Sequence, residues 1–435
     1  QAAPRAPSDK DLQAALHEST VRVQQSVSGL FDLSNFYLKG RYVGEFPSCA
    51  DYIGPIKVVE VGHGRGRGLV LKKHVEAGEL LLVSNPIAFM QLKGFNHHRG
   101  VEVSQESIHR KVQEAFAPIF TNPHISGSDS QKLHTLCDGE TKLPVPPANW
   151  LTSNSRGRTV PMAPIDTSCI NRIIQLNAFN GNATMGWRNL PSSADQQNKV
   201  ENWGLWWLPS FINHSCMPNT SQILVGRALF IFASRDLQAG EEITRSYFDI
   251  FQPLQQRRDL STKGWGFVCH CPRCKLEDAL HTPLSQVTNH YAKLMEQTSR
   301  PKPERVSDAK HADNQATGAL RFCHELERKL KDLKLRPVEE NWLRGSFVHS
   351  IDQITNEHEL SPHLELVVEA MAAVCPGSES TLQMAVHAKD SAKHATGKKS
   401  VQFKSAHHRA MHICRCTYGK QKSSVLQSLV NREDH

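Results

Sequence analysis

NHSCMPN at Asn213–Asn219, GEEITRSY at Gly240–Tyr247 and CHCPRC at Cys269–Cys274 follow one another in this order, and each carries a different chemistry. The first sets a planar amide, able to donate and accept, beside an imidazole and a thiol. The second is a glycine turn followed by two carboxylates and, at its end, a tyrosine. The third places Cys269, Cys271 and Cys274 on one compact, turn-like segment. Three thiols that close rarely pack as hydrophobes, so they read as part of a tetrahedral metal site that needs a fourth ligand; the alternative is a reduced, metal-free cluster.

On both sides of these motifs the chain alternates short β-rich runs with tight turns. From Ile56 these are IKVVEV, the turn GHGRGRGL at Gly62–Leu69, LVLKK, the turn HVEAGE, and LLLVSN ahead of Pro86. After Asn219 come SQILV, the turn Gly226-Arg227, ALFIFAS and the turn LQAGEE. Between about 90 and 205 an insertion reads as mainly helical, with Ile108, Val112, Ala115, Phe116 and Ile119 spaced for one buried face. Within it HISGSDSQK and KLPVPPANWLTSNSRGRTVPMAP are polar and turn-rich, and Ile170 to Phe179 regains apolar periodicity. Beyond Cys274 the pattern is helical: Leu326, Leu330 and Leu333 share one face, and Leu343, Phe347, Ile351 and Ile354 another. Breaks at SRPKPE, LRPVEE and LSPH suggest antiparallel helix pairs without a clean 34-residue repeat signature. A helical cap with no binding duty is the alternative.

At 435 residues the chain can bury a substantial core in two or three domains. Its 51 Lys and Arg against 43 Asp and Glu give a formal charge of +8, which favours acidic partners; an ordinary solvated basic surface is the other reading. Eleven cysteines, odd in number and unevenly spread, argue against a disulfide framework and for a reducing compartment. No apolar run of about eighteen residues and no secretory leader occur, so the expectation is a soluble protein of the nucleus or cytoplasm. The opening Gln1 reads as a mature form or a fragment, leaving room for upstream domains. Residues 1–50, with Pro4, Pro7 and GLFDLSNFYLKG, show no clear core pattern of their own.

Taken together, the three motifs resemble the core of SET-domain protein-lysine methyltransferases and the post-SET cysteines of the SET-MYND branch. The resemblance covers about residues 54 to 276. It implies an α+β chain with a knotted β-rich SET fold, a helical insertion, a post-SET zinc site and an α-helical C-terminal domain. The expected units are an N-terminal segment 1–53, SET parts at 54–90 and 206–250, the insertion 91–205, the zinc segment 251–276 and a repeat-like region 277–435. The implied cofactors are S-adenosyl-L-methionine and zinc, and the implied partner is a protein with an acceptor lysine. Cys216 matches the cysteine that completes the zinc site with Cys269, Cys271 and Cys274.

Asn213 and His214 match the residues that hold the methyl donor, Tyr247 the catalytic tyrosine that faces the transferred methyl, and Phe267 the residue against the adenine. Phe248 and Trp265 would wall the lysine channel, although the branch usually has a tyrosine where Trp265 stands. Arg65 and Arg67, on a glycine turn that would let the backbone approach the donor, are candidates for its carboxylate, and Asn177 for a further donor contact. Such a channel has chemistry to supply, because a lysine with a pKa of about 10.4 must give up roughly 4 kcal/mol to attack as a neutral amine at pH 7.5. The MYND finger is missing, since only Cys137 lies between Cys49 and Cys169. That places the chain nearer to SET proteins with helical repeats.

Two other classes remain open from the sequence: a catalytically inactive SET module that recruits partners, and a basic, zinc-bearing nucleic-acid binder. Asn213, His214 and Tyr247 together argue against the first. The mild charge and the lack of an aromatic-basic stripe argue against the second. Cys414 and Cys416 near His412 sit on helical apolar spacing and read as buried thiols rather than a second metal site.

Overall fold

The structure is a computed structural model that describes residues 9–39, 49–62, 65–93, 105–122, 127–147, 166–180, 200–299, 308–350 and 364–431. Ile351, Ile354, the LSPH break, the SRPKPE break after Ser299 and most of the run KLPVPPANWLTSNSRGRTVPMAP lie outside these residues, whereas the stretch HISGSDSQK, read as turn-rich, is helical from Gly127 onward, in the helix Gly127–Leu133.

Eleven short strands among the described residues form the β part: β1 Tyr52–Ile53, β2 Ile56–Glu60, β3 Arg67–Leu71, β4 Leu80–Ser84, β5 Ala88–Lys93, β6 Phe179–Asn180, β7 Val200–Leu205, β8 Asn213–His214, β9 Thr220–Val225, β10 Ala228–Ala233 and β11 Thr244–Arg245. The largest sheet runs β1-β4-β10-β9, and β2 pairs with β3. Gly226, at φ +64°, makes the β9–β10 turn, which a residue in the left-handed region provides without strain.

The unbroken apolar run of β10 follows from its place. Leu229, Ile231 and Ala233 face one core with Leu69, Leu71, Leu81 and Ile243. Ala228, Phe230 and Phe232 face a second core with Val368, Leu382, Ile413 and Leu429. A strand whose side chains alternate between two buried faces has no room for polar residues. The helix Val401–Tyr418 therefore packs on this sheet, and Leu364–Val374, Glu379–Thr396 and Ser423–Asn431 complete the same core. The N-terminal segment, read as lacking a core pattern, contributes Leu33, Phe36 and Tyr37 to the same core, and Tyr37 Oη donates to Tyr418 O at 3.0 Å. Cys414 and Cys416 are buried within the helix Val401–Tyr418, as their spacing suggested.

The insertion differs from its reading in two respects. It opens and closes in one antiparallel ladder, β5 against β7, from Ala88 opposite Leu205 to Lys93 opposite Val200, with β6 on the far side of β7. In its helix Gln105–Thr121 the buried face is Val112, Phe116 and Phe120, whereas Ile119 is 40% exposed. Each four-residue step of 112–116–120 turns the face by about 40°, so it centres on Phe116, and Ile119 stands about 60° from that centre, on the edge beyond Val112.

A third core joins Cys216, Ile250, Cys269 and Cys274 to Tyr291, Phe322, Leu326, Leu330 and Phe347 of the helices that follow.

Phe116→Ala is expected to lower the free energy of unfolding by about 3–5 kcal/mol. Ile119→Ala, on the same helix, should change it by less than about 1 kcal/mol. Denaturant titration of the two variants checks this, and equal losses would contradict the assigned face.

Candidate functional site: the crossing of residues 213–219 and 240–247

Residues 240–245 run between β3 and the 213–219 segment, bonded to both. On one side Gly240 N–H donates to Leu71 O (2.8 Å), Leu71 N–H to Glu241 O (3.0 Å) and Ile243 N–H to Leu69 O (2.8 Å). On the other, β8 and β11 pair in parallel, Asn213 with Thr244 and His214 with Arg245. Asn219 extends the join, accepting from Thr244 N–H at Oδ1 (2.7 Å) and donating from Nδ2 to Glu242 O (2.9 Å).

The crossing fixes His214. The backbone N–H of Tyr247 donates to its Nδ1 at 3.1 Å. Burial pulls this imidazole below its ordinary pKa, so the ring is neutral and its proton sits on Nε2. Nε2 lies 3.3 Å from Cys216 Sγ. A single ring thus links the Tyr247 backbone to the cysteine cluster.

Around His214 the aromatic residues converge. Phe248 stacks on it at 4.4 Å between centroids, and Phe267 and Tyr247 stand at 5.5 Å and 5.4 Å. Trp265 is 5.2 Å from Tyr247 and 6.1 Å from Phe248. The Tyr247 hydroxyl donates to Ile212 O at 3.0 Å, and burial raises its pKa. The structure therefore brings Asn213, His214, Tyr247, Phe248, Trp265 and Phe267 into one patch.

Cys216, Cys269, Cys271 and Cys274 place their four sulfurs within 4.8 Å of one another. In a tetrahedral zinc-thiolate site, with Zn–S near 2.3 Å, sulfurs stand about 3.8 Å apart, so this donor set fits zinc with small adjustment. Without a metal the four crowded sulfurs share protons unevenly: the Cys216 side chain foremost holds Cys269 far below the ordinary thiol range and lowers Cys271 to about 7, while hydrogen bonding to Cys269 pushes Cys216 up and hydrogen bonding to Cys216 pushes Cys274 up. A cation that displaced the remaining protons would make all four sulfurs thiolate ligands. Bound zinc would tie the post-SET segment to the crossing and contribute folding energy.

Behind the sulfurs lies a buried ionic cluster that the sequence did not reveal. Arg257 Nη1 donates to Cys274 Sγ (3.1 Å) and Nη2 to Glu277 Oε1 (2.5 Å). Arg273, fully buried, donates from Nε to Glu277 (2.9 Å), from Nη1 to Ile250 O (2.9 Å) and from Nη2 to Ser346 Oγ (2.6 Å). Burial pulls both guanidiniums down. At Arg257 the Glu277 carboxylate and the Cys216 and Cys274 sulfurs outweigh it and raise the pKa, whereas Arg273 stays lowered. N–H donors aimed at thiolate sulfur are the usual outer support of a metal site.

The arginines of the glycine turn have partners within the protein. Arg65 Nη1 pairs with Glu242 Oε2 at 2.6 Å, and Glu242 Oε1 accepts from Asn213 Nδ2 at 2.9 Å. Arg67 lies 5.0 Å over the Phe211 ring and donates to Pro144 O at 3.1 Å. Asn177 Nδ2 donates to Cys137 O (2.7 Å) and Ile173 O (2.8 Å). All three have their polar groups engaged within the protein; Arg65 joins Asn213 through Glu242, and Arg67 through its backbone carbonyl. Glu242, unremarked among candidate ligands, is the group that organises this side; its only sequence signal is its place in the GEE run.

The family model for the SET domain matches residues 66–248, so the chain carries a SET domain over that segment. Among curated proteins, "Histone-lysine N-methyltransferase SET5" of Meyerozyma guilliermondii is 45% identical over 76 residues, 17% of this chain and 16% of that protein. Human "Histone-lysine N-methyltransferase SMYD3" is 39% identical over 75 residues, 17% of this chain and 18% of that protein. A longer match, 22% identical over 270 residues, joins 58% of this chain to 35% of a Gibberella zeae protein described as "Methyltransferase". The chain thus spans less than a fifth of the SET5 and SMYD3 relatives. Among solved structures, the SET domain of LSMT bound to lysine and AdoHcy aligns at a TM-score of 0.27 and 13% identity over 87% of this chain and 86% of that one, too low to carry an argument.

The purified protein is expected to hold about one zinc per chain by elemental analysis, with Cys271→Ser losing most of it and a chelator lowering the thermal midpoint. A wild-type ratio near zero would refute the site.

A methyl added at Gly68 would meet Glu242 Oε1 at 2.7 Å and Asn213 Nδ2 at 3.0 Å, while nothing lies within 4 Å of one at Gly62. Gly68→Ala should therefore destabilise by about 1–3 kcal/mol. Gly62→Ala should stay within about 0.5 kcal/mol. Paired denaturation curves measure the difference.

Proposed function

We propose that the protein is an S-adenosyl-L-methionine-dependent protein-lysine N-methyltransferase acting on a histone or non-histone lysine. The observation that carries this reading is the convergence of Asn213, His214 and Tyr247 with three aromatic neighbours, Phe248, Trp265 and Phe267, at one crossing. The named methyltransferase relatives support it.

Bound there, the donor would supply an electrophilic methyl on sulfonium, and the protein's task is alignment. The Asn213 side chain would hold the amino-acid end and the His214 backbone the adenine end, Phe267 would lie against the adenine, and the side chains of Arg65, Arg67 or Asn177 would serve the donor only by exchanging their present partners. Tyr247 would face the methyl, its oxygen held by Ile212 O. The half-buried rings of Phe248 and Trp265 would strip water from the incoming lysine, which favours the neutral amine that attacks. In-line displacement needs this positioning more than a contact acid or base. Zinc on the four cysteines would keep Phe267 in place, and the cap of the helix Leu254–Trp265 would keep Trp265. The partner would be a protein with an acceptor lysine, with acidic or chromatin-associated surfaces favoured by the basic charge. A nuclear or cytoplasmic location would suit that partner and the free thiols. No helix among the described residues is long and apolar enough to cross a membrane.

Tyr247→Phe should keep donor binding by calorimetry and slow labelled-methyl transfer by about 10²-fold or more. Unchanged turnover would remove Tyr247 from the mechanism.

A further inference from the structure

The one guanidinium of the site without a carboxylate or hydrogen-bond partner among the described residues belongs to Arg245. It lies 4.4 Å over the Tyr247 ring and 3.9 Å over the Phe179 ring, and its Nε, although shielded from solvent, has no acceptor. Glu242 does not neutralise it, being held by Arg65 and Asn213. The charged and titratable groups acting on Tyr247 are Arg245, Glu242 and the Cys137 thiol, with the neutral His214 ring beside it. Arg245 is fixed in place by its backbone, since it pairs with His214 in the parallel ladder. Stacking between two rings holds its plane without cancelling its charge.

We propose that Arg245 is an electrostatic specificity residue of the lysine site: its uncompensated charge disfavours the ammonium form of the lysine that docks against Tyr247 and so promotes the neutral amine. The inference rests on the lysine methyltransferase reading. A unit charge on the order of 6–8 Å away, at an effective dielectric near 20, shifts an amine pKa by about 1.5 to 2 units, and residual water reduces this to about one. A neighbouring cation is an established way to activate an amine. The proton leaves the ammonium for solvent before transfer. The nitrogen lone pair then forms the N–C bond as the C–S pair returns to sulfur, leaving an N-methylammonium and a neutral thioether.

The test compares wild type with Arg245→Met, Arg245→Gln and Arg245→Lys. S-adenosylhomocysteine affinity is measured by calorimetry, and the pH dependence of kcat with saturating mixed core histones and labelled donor. The expected result is S-adenosylhomocysteine affinity within about twofold throughout, with the acidic limb of kcat moved up by about one unit in the Met and Gln variants and restored by Lys. Methyl transfer at pH 7.5 then falls about tenfold in the neutral variants, and the difference closes above the limb. A limb that stays put in active Met or Gln variants overturns the proposal alone. A loss of S-adenosylhomocysteine affinity beyond tenfold also overturns it and makes Arg245 a ligand of the donor. Wild type that binds S-adenosylhomocysteine yet transfers no methyl at any pH, either to core histones or to the proteins of a whole-cell extract, brings down the methyltransferase reading itself, and this inference with it.

Discussion

Two residues of parallel ladder join Asn213–His214 to Thr244–Arg245, and a pair that short does not hold by backbone hydrogen bonds alone. Side chains make up the deficit. Asn219 bonds both ways to the 240–247 segment, His214 accepts from the Tyr247 backbone, and Asn213 donates to Arg67 O at 3.1 Å and to Glu242. Each of these polar groups is buried or half-buried, so each would be costly if left unpaired. The polar residues of NHSCMPN are thus fastenings of the crossing as well as candidate ligands. The arrangement of Tyr247 and its aromatic neighbours depends on them.

What could be read in the sequence was what is local. CHCPRC announces a metal site because its spacing alone brings three sulfurs together, and the folded chain adds Cys216 from the motif expected to supply it. The strands around both halves of the SET segment were legible from their apolar runs and glycine turns. The doubly buried strand β10 shows in its unbroken ALFIFA, but what covers each face does not, because the covering helices lie more than a hundred residues away. Ile119 was misplaced because Val112, Ala115, Phe116 and Ile119 satisfy a helical period as well as the true face does; only the opposing surface decides between them. Leu33, Phe36 and Tyr37 were overlooked because a short helix offers too few residues for a period to appear.

The ionic cluster of Arg257, Glu277 and Arg273 was not legible at all. In QQRRD and PRCKLED these residues look like the solvated charges of any helix. Once folded, Glu277 is the counter-ion of two buried guanidiniums and also accepts from Ser346 Oγ at 2.9 Å. Such a cluster adds little net stability compared with apolar packing, but removing one member costs about 3–5 kcal/mol because the others are left buried and unpaired. Its effect is to specify geometry. Arg273 touches Ile250 O after the crossing and Ser346 in the later helices, so the zinc segment cannot shift against either without breaking it.

The same logic explains how a structural metal would reach the chemistry. The helix Leu254–Trp265 ends at Gly266, whose φ of +72° lets its N–H close back on Ser261 O and Thr262 O. Three residues later comes Cys269. The run from Trp265 to Cys269 is therefore pinned at one end by a helix cap and at the other by the sulfur cluster. A chain of that length has little freedom between two fixed ends, so Phe267, in its middle, is set 5.5 Å from His214 and 6.2 Å from Tyr247 by constraints outside the patch. Loss of the cluster would free one end only. The cap would still hold Trp265, 5.2 Å from Tyr247, while Phe267 would lose its anchor. The two rings on this run thus depend on different supports, Trp265 on the helix and Phe267 on the cysteines.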